Sequence, residues 1–412
     1  MRRGSLRRGR DALMLDKTRL ALRRDLTAAN LFENLAPRYG PLAALSFREP
    51  RYHKFPGKSL TYRDCLRFTS LTAEAVIREL DLKKGERVLV ATPEEAELLL
   101  AMAAVVKAGG VAVPETRGPG APGLGRRLRE CGVTAALVDA ATWGDGGLPA
   151  EVGGMPLRVM FLGPSSVAPQ GHAVLDRSME ACEPLFLPYT LKPGNVVALC
   201  LATEDPFGRG ERELALMLSN RGLLQAARSI LPLLPLRRGR ECRCRASLRR
   251  PSGLFLAVAA LLAGTTLCFP DEAAGAEGEE GAEGAGLLVS GRCAVSAVRT
   301  AEEVNGGEEA LLHLSLFTAG ERATALSLRL SLRLGGRVFS LPWVTVPPNR
   351  AAVLDEVGGR VAEGEEGELA VWGPAVTAGY WNDLETTFRS WRDGWLRTGM
   401  RVTAGRGGKP VL

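Results

Sequence analysis

Cysteine and histidine are the residue types that most readily bind metals, and this sequence does not space them as a metal site requires. Its eight cysteines are scattered singly apart from Cys242 and Cys244, and no C-x-x-C pair occurs. His53, His172 and His313 lie far apart. A structural zinc site needs about four such ligands. The pattern therefore predicts no metal site, and instead reduced, mostly buried thiols in a cytoplasmic protein.

Arginine is the other residue type concentrated enough to bind a ligand, because guanidinium groups pair with phosphates. The chain carries 53 lysines and arginines against 46 aspartates and glutamates. Much of the excess lies in a basic tail, residues 1–29, and in seven arginines between Leu236 and Arg250. No aromatic side chains interleave with that run to stack on bases, so no nucleic acid is expected as a partner. The tail lacks the apolar segment of a secretory signal.

Helices and parallel strands must position any site in the first part of the chain. Strand-like runs such as Arg87–Thr92 and Val111–Pro114 flank a helix-like segment that ends near Lys107. This alternation continues between residues 30 and 335 and predicts an α/β fold, with two α/β lobes whose parallel-rich sheets are flanked by helices. The apolar stretch Ser252–Phe269 is broken by Gly264, which favours a buried helix followed by a strand over a transmembrane segment.

Three other stretches differ from this pattern. The arginine run at residues 236–250 and a Glu/Ala/Gly tract at residues 272–286 contain few large apolar side chains, so both are predicted to be exposed, mobile loops. Between residues 336 and 412, short β-type runs alternate with Gly, Pro and Asn turns. These residues are predicted to form a small β-rich, barrel-like subdomain.

Several motifs resemble a known family. Near the end of the chain stand Glu366–Pro374 (EGELAVWGP), Thr377–Asp383 (TAGYWND) and Trp391–Gly399 (WRDGWLRTG). In order and spacing they resemble the stretch that leads acyl-CoA synthetases and fatty acyl-AMP ligases to their interdomain hinge. Ala104–Pro114 (AVVKAGGVAVP) resembles an opening motif of the same AMP-binding, adenylate-forming superfamily. The resemblance implies the large N-terminal domain of such an enzyme.

The family joins a carboxylate to the α-phosphate of ATP and releases pyrophosphate. The resemblance thus implies ATP or AMP as cofactor and an acyl or aryl carboxylate as substrate. Family members hold the phosphates with a Gly-, Ser- and Thr-rich loop, Mg²⁺ with the Glu of a Thr-Glu pair, and the ribose with an Asp, while a C-terminal domain supplies a Lys. The nucleotide-binding positions that it implies here, in a segment followed by a helix before Arg337, are Ala319, Gly320, Glu321 and Thr345.

The phosphate loop is expected after the strand-like run Val196–Leu201 and before Leu218–Leu224 (LSNRGLL). The residues that remain of it are Thr203, Gly208, Gly210 and Arg212. The same stretch contains the carboxylates Glu204, Asp205, Glu211 and Glu213. Negative side chains in a pocket of low dielectric constant would repel phosphates unless a partner neutralises them.

The other chemical positions depart further from the family pattern. The residue at the metal-binding Glu position is Val346, and the residue at the ribose-binding Asp position is Met400. Valine cannot ligate Mg²⁺, so the metal is not expected to bind in the family's usual way. Methionine is a weak hydrogen-bond acceptor. The sequence stops at Leu412, before the hinge and the lysine-bearing domain, and we assign no catalytic residue.

Three hypotheses are consistent with these departures. In the first, the chain is a pseudoenzyme or a decayed gene product that at most binds a nucleotide or an acyl ligand. In the second, it is half of a split ligase, completed in trans by a separate C-terminal ligase domain or served by a carrier protein, with Arg212 replacing lost phosphate contacts. In the third, it is a non-enzymatic module whose basic run, Arg237–Arg250, binds nucleic acid or anionic lipid.

Overall fold

The computed structural model describes residues 23–47, 57–115, 123–140, 155–163, 166, 168–185, 187–204, 212–234, 236–244, 246–269, 286–288, 293–298, 312–319, 323–334, 337–340 and 344–411. Its helices are α1 (Leu31–Tyr39), α2 (Tyr62–Leu80), α3 (Glu95–Lys107), α4 (Leu124–Cys131), α5 (Leu175–Glu180), α6 (Asn220–Ile230), α7 (Pro251–Leu262) and α8 (Leu384–Ser390). Its strands are β1 (Ala43–Ser46), β2 (Ser59–Thr61), β3 (Arg87–Ala91), β4 (Val111–Glu115), β5 (Val133–Asp139), β6 (Arg158–Leu162), β7 (Ala173–Val174), β8 (Val196–Glu204), β9 (Arg212–Ser219), β10 (Glu241–Cys244), β11 (Thr266–Cys268), β12 (Gly286–Leu288), β13 (Cys293–Val298), β14 (Leu312–Ala319), β15 (Ala323–Leu334), β16 (Arg337–Ser340), β17 (Val344–Thr345), β18 (Arg350–Leu354), β19 (Glu366–Trp372), β20 (Trp391–Arg392), β21 (Trp395–Ala404) and β22 (Pro410–Val411).

A seven-stranded sheet forms the first lobe, in the order β7-β6-β5-β3-β4-β8-β9. Every pair in it is parallel except β8 and β9. In β3, Val88 and Val90 belong to one hydrophobic core, while Leu89 and Ala91 belong to a second core on the opposite face. Because both faces are buried, the strand reads as a continuous apolar run, and the predicted parallel-rich α/β fold is confirmed.

A second sheet of ten strands has the order β16-β15-β14-β13-β12-β10-β11-β1-β2, with β17 paired to β15. Its strand β11 contributes Leu267 to the same hydrophobic core that contains Val88 of β3 and Phe255 of α7. Helices α3, α6 and α7 therefore share one core with both sheets. All twelve residues of α7 are buried, and no described helix is long and apolar enough to cross a membrane.

Local sequence explains where the helices of this core begin and end. Thr61 and Asp64 form a capping box at the start of α2, in which each side chain accepts a hydrogen bond from the backbone N–H of the other residue. Gly264 follows α7 with φ 72°, and a Cβ there would lie 2.8 Å from the ring of Tyr39. The Tyr39 hydroxyl donates to the Leu262 carbonyl at 3.1 Å. This contact fixes α1 against the end of α7.

A smaller antiparallel sheet of five strands follows, in the order β18-β19-β21-β20 with β22 on β21. Leu369, Val371 and Leu396 form its small core. This sheet begins at Arg350, because β16 and β17 pair with β15 of the ten-stranded sheet. The β-type pattern after residue 336 therefore contributes strands to two sheets.

The prediction of an exposed loop at residues 236–250 is wrong for its central part. Residues 241–244 form β10, which pairs with β11 and β12. Cys242 and Cys244 are buried, whereas Glu241 and Arg243 are exposed. Buried cysteine behaves as a small apolar residue, so this segment has the period-two pattern of a half-buried strand. A count of arginines in this run does not reveal the alternation, because it ignores the order of the residues.

The helix expected before Arg337 is also wrong. Residues 323–334 form β15, which pairs with β14 in a long antiparallel hairpin. Leucine stands at every second position from Leu326 to Leu334, with serine or arginine between. This alternation fits a strand with two different faces and not a helix. The second predicted loop, residues 272–286, lies outside the described residues except for Gly286.

Candidate nucleotide site

Three antiparallel strands bring Ala319 and Thr345 into one region of the ten-stranded sheet. Ala319 ends β14 at the turn of the β14–β15 hairpin. Thr345 of β17 pairs with Ser327 of β15, and Ser327 pairs on its other side with Phe317 of β14. Since neighbouring strands lie about 4.8 Å apart, the backbones of Thr345 and Phe317 are about 10 Å apart. Two of the expected nucleotide-binding positions are therefore near one another.

The residue after Thr345 is buried in the main core. Val346 is 3% exposed and belongs to the core that α7 and both sheets share. Mg²⁺ requires several oxygen ligands. The side chain at this position supplies none, and the described part of the chain holds no group of three or more His, Cys, Asp or Glu residues that could bind a metal. Val346 therefore supplies no Mg²⁺ ligand at the position that the resemblance implies.

The position expected for the phosphate loop is the end of a β-hairpin. Strands β8 and β9 remain paired as far as Thr203 with Glu213 and Glu204 with Arg212. Thr203 and Arg212 thus stand on adjacent strands close to the turn, so the two candidates are brought together. The loop expected after Leu201 begins only after Glu204. The candidates that lie outside the described residues are Gly208, Gly210, Gly320 and Glu321.

A buried charge network, which the sequence pattern did not reveal, neutralises Glu213. Arg127 of α4 places Nη1 3.2 Å from Glu213 Oε2 and Nη2 3.7 Å from Glu115 Oε2. Arg249 places Nε 3.1 Å from Glu115 Oε1. The side chains of Arg127 and Glu115 are only 4% and 1% exposed, so water screens these pairs weakly. Glu213 consequently repels a phosphate less than its position in the sequence suggests.

The network lies where ligands bind in folds of this class. Glu115 is the last residue of β4, and open parallel sheets bind ligands outside the carboxyl ends of their strands. Arg127 and Arg249 connect this edge to Glu213, near the turn of the β8–β9 hairpin. A buried acidic residue that ends a parallel strand, followed by an arginine on the next helix, was the signal available in the sequence.

The TAGYW motif supports the same hairpin from the other side. Main-chain hydrogen bonds of 2.8 to 3.0 Å join residues 378–381 to Ala215 and Met217 of β9. Gly379 has φ 130°, and a Cβ there would lie 2.8 Å from Thr387 Cγ2. Tyr380 is buried against Trp391. The motif therefore fixes backbone position and packing beside the candidate phosphate loop.

The side chain at the position that the resemblance implies for the ribose is apolar. Met400 is half-buried and packs against Leu369, Val371 and Leu396. Its backbone N–H donates to Thr398 Oγ1 at 3.2 Å. A thioether is at best a weak acceptor. This side chain therefore offers no replacement for a carboxylate that binds two ribose hydroxyls.

The two neighbouring cysteines belong to the core. Burial raises the pKa of the Cys242 thiol to about 12, and burial likewise raises the pKa of Cys244 far above its usual value. Thiolates, not thiols, bind metals and act as nucleophiles. Cys242 and Cys244 are therefore inert core residues at neutral pH.

Comparison with known proteins agrees with this geometry. Residues 32–173 match the AMP-binding enzyme family. A medium/long-chain-fatty-acid–CoA ligase, FadD8 of Mycobacterium tuberculosis, is 52% identical over 50 residues, which cover 12% of this chain and 9% of that protein. The sequence match thus spans under a tenth of that relative's length.

Solved structures match over nearly the whole chain. The N-terminal subdomain of Klebsiella oxytoca NpsA, in complex with 3-hydroxybenzoyl-AMSN, is 19% identical with a TM-score of 0.67, covering 94% of this chain and 97% of that one. Apo MatB of Rhodopseudomonas palustris is 18% identical with a TM-score of 0.67, covering 92% and 77%. At these identities the structural likeness establishes the fold. Together with the family match over residues 32–173 and the ligase relative, it supports an N-terminal domain of adenylate-forming acyl-CoA synthetase type.

Proposed function

We propose that this chain is a nucleotide-binding domain of acyl- or aryl-CoA ligase type whose Mg²⁺-dependent adenylation of carboxylates is impaired. The observation that carries the proposal is Val346, an apolar side chain buried in the core at the position of the family's metal ligand. Met400 supports it, because the side chain at the position implied for the ribose is likewise apolar and packs in an apolar cluster.

In this proposal the nucleotide lies across the β14–β15–β17 region. The adenine ring lies against residues 319–321 at the end of β14, and the Thr345 hydroxyl faces the α-phosphate. Thr345 is half-exposed, so its hydroxyl can donate to an oxygen without displacing a core residue. ATP or AMP then binds through the backbone and one hydroxyl, with little contribution from Mg²⁺.

A split ligase is the second candidate, and one observation favours it. Arg127 neutralises Glu213, which reduces the repulsion that Glu213 would exert on a phosphate at the hairpin. The backbone of Arg212 stands near the same turn. In this alternative a separate C-terminal ligase domain supplies the missing lysine in trans.

Titration of ATP and AMP into the purified chain, with and without Mg²⁺, tests nucleotide binding. We expect Thr345→Val to weaken AMP binding about tenfold, since hydrogen bonds to charged groups contribute about 1.5–3 kcal/mol. Thr403→Val, at another half-buried threonine on β21, should leave binding unchanged. Met400→Asp should tighten AMP binding, because it restores an acceptor for the ribose hydroxyls. Equal effects of Thr345→Val and Thr403→Val would show that the nucleotide lies elsewhere.

Pyrophosphate release with a panel of fatty and aryl acids tests the impairment. Removal of one electrostatic stabiliser of a transition state typically costs about 100- to 1000-fold in rate, so we expect release by the chain alone at least 100-fold below that of a complete ligase. Rapid Mg²⁺-dependent release by the chain alone would refute impairment. Release that appears only after a C-terminal ligase domain is added would establish the split ligase.

A further inference from the structure

The exposed arginines of the basic run lie along one edge of the ten-stranded sheet, namely the edge at which strands begin or end rather than an outer strand. Strands β1, β10 and β11 are mutually parallel, so their amino ends meet at this edge. Arg240 precedes β10, and its carbonyl accepts the N–H of Thr266 at 2.9 Å. Helix α1 ends just before β1, and β2 runs antiparallel to β1 and leads into α2. Arg38 at the end of α1 and Arg63 at the start of α2 therefore reach the same edge.

Direct contacts hold part of this group together. Arg238 Nη2 donates to the Arg38 carbonyl at 3.2 Å. The guanidinium carbons of Arg238 and Arg38 lie 5.3 and 5.7 Å from the centre of the Tyr39 ring. The guanidinium of Arg63 lies beside Gly40, where a Cβ would be 3.5 Å from Nη2. We name as the arginine edge the six residues Arg38, Arg63, Arg237, Arg238, Arg240 and Arg243.

The arginine edge is strongly positive. Five of its six side chains are exposed, and Arg38 is half-buried. The described carboxylates on the same elements at this edge are Glu241 and Asp64. Asp64 already accepts hydrogen bonds from the Thr61 N–H and hydroxyl. Positive charge therefore exceeds negative charge, and the excess faces water.

The candidate nucleotide site lies at the opposite edge of this sheet. Strand β10 is antiparallel to β12, β12 is antiparallel to β13, and β13 is parallel to β14. Strand β14 consequently runs in the same direction as β10. Ala319, at the carboxyl end of β14, is thus at the edge away from Arg240, so a surface that covers the arginine edge leaves the nucleotide edge open.

We infer that the arginine edge docks the protein onto an anionic lipid bilayer. Lipid headgroups present many phosphates to the five exposed guanidinium groups at once. Leu233, 44% exposed and four residues before Arg237, offers an apolar side chain for the headgroup boundary, as interfacial binding segments do. The aromatic ring of the edge, Tyr39, is buried, so no exposed ring among its described residues can stack on bases, and nucleic acid fits less well.

Vesicle flotation of the full chain tests this inference. Each basic side chain at an anionic leaflet raises partitioning about fivefold, so Arg237→Gln/Arg240→Gln should weaken binding to vesicles of 70% phosphatidylcholine and 30% phosphatidylglycerol about 30-fold. These two residues are exposed, and their side chains form no hydrogen bond or ion pair with the part of the chain that the structure describes. The charge-matched control, Arg126→Gln/Arg401→Gln, changes exposed arginines on α4 and β21 and should bind like the unmodified chain. Raising NaCl from 0.1 to 0.5 M should release the protein, because screening shortens the range of charge attraction.

Three outcomes would overturn the inference. The first is equal binding to vesicles of phosphatidylcholine alone, which would mean that charge does not direct the contact. The second is equal loss of binding in the two double variants, which would reflect net charge rather than this surface. The third is absence of vesicle binding at low salt together with saturable binding of a single-stranded oligonucleotide, which would assign the edge to nucleic acid.

Discussion

Lys107 joins three helices through one buried ammonium group. It is 2% exposed at the end of α3, where Nζ donates to Ser70 Oγ of α2 at 2.7 Å and pairs with Glu33 of α1. Glu33→Gln leaves the ammonium buried without its counter-charge, and breaking a buried pair in this way costs about 3–5 kcal/mol. Lys107→Met leaves only Glu33, which is 23% exposed and can regain water, so its expected cost is about 1 kcal/mol.

Hydrogen exchange measured by mass spectrometry on peptides from α1, α2 and α3 reports the free energy of opening of this region. The double variant Glu33→Gln/Lys107→Met should resemble Lys107→Met, because neither variant leaves a cation buried. Glu79→Gln on α2 removes an exposed pair with Arg78 and should change the free energy by less than about 0.5 kcal/mol. We expect Lys107→Met to destabilise the helices less than Glu33→Gln, because Glu33 is more exposed than Lys107. Equal destabilisation by the two variants would refute this reasoning.

Three further predictions concern the support of the site. Gly379→Ala forces a residue with a Cβ into φ 130° against Thr387 and should lower the free energy of unfolding in urea by about 2 kcal/mol, whereas Gly194→Ala, whose Cβ would meet no atom within 4 Å, should change it little. Burial opposes ionisation of Glu86, but hydrogen bonds from Arg158 and from the Lys83 N–H outweigh burial and lower the pKa of its carboxyl; the pair is therefore present above the carboxyl's unfolded pKa of about 4.5 and is lost as pH falls through the lower folded pKa. The difference in stability between wild type and Glu86→Gln should accordingly shrink below about pH 4.5, and a difference that stays constant to pH 3 would contradict this sign. Val346→Glu places a carboxyl in the main core and should cost about 3 kcal/mol in thermal unfolding; full recovery on adding Mg²⁺ would show that a metal site persists.

The first lobe could be predicted from sequence because each strand and helix there has a local signal that agrees with its environment. Pro93 and Glu95 mark the start of α3, and Gly132 in the left-handed region ends α4. The ten-stranded sheet was harder to predict. Strand β10 alternates cysteine with charged residues, and only its neighbours β11 and β12 show that the cysteines face a core.

The candidate site was less predictable for a different physical reason. Its charge network joins Glu115, Arg127, Glu213 and Arg249, which come from two strands, a helix and a turn. No local periodicity encodes such a contact. The motif residues, by contrast, were visible at once, but the structure shows that Gly379, Tyr380 and Lys107 act through backbone conformation, packing and a buried ion pair.

This distinction explains how a chain can retain family motifs while its metal and ribose positions change. A buried carboxylate is stable only when a metal or another cation compensates its lost hydration. Where no metal binds, a glutamate at residue 346 would be an uncompensated charge in the core that Val346 now fills at 3% exposure. Valine at this position therefore removes a destabilising group from the fold. In the function proposed above, loss of metal chemistry and preservation of the fold are two consequences of one substitution, and the persistence of motifs such as TAGYW carries no information about turnover.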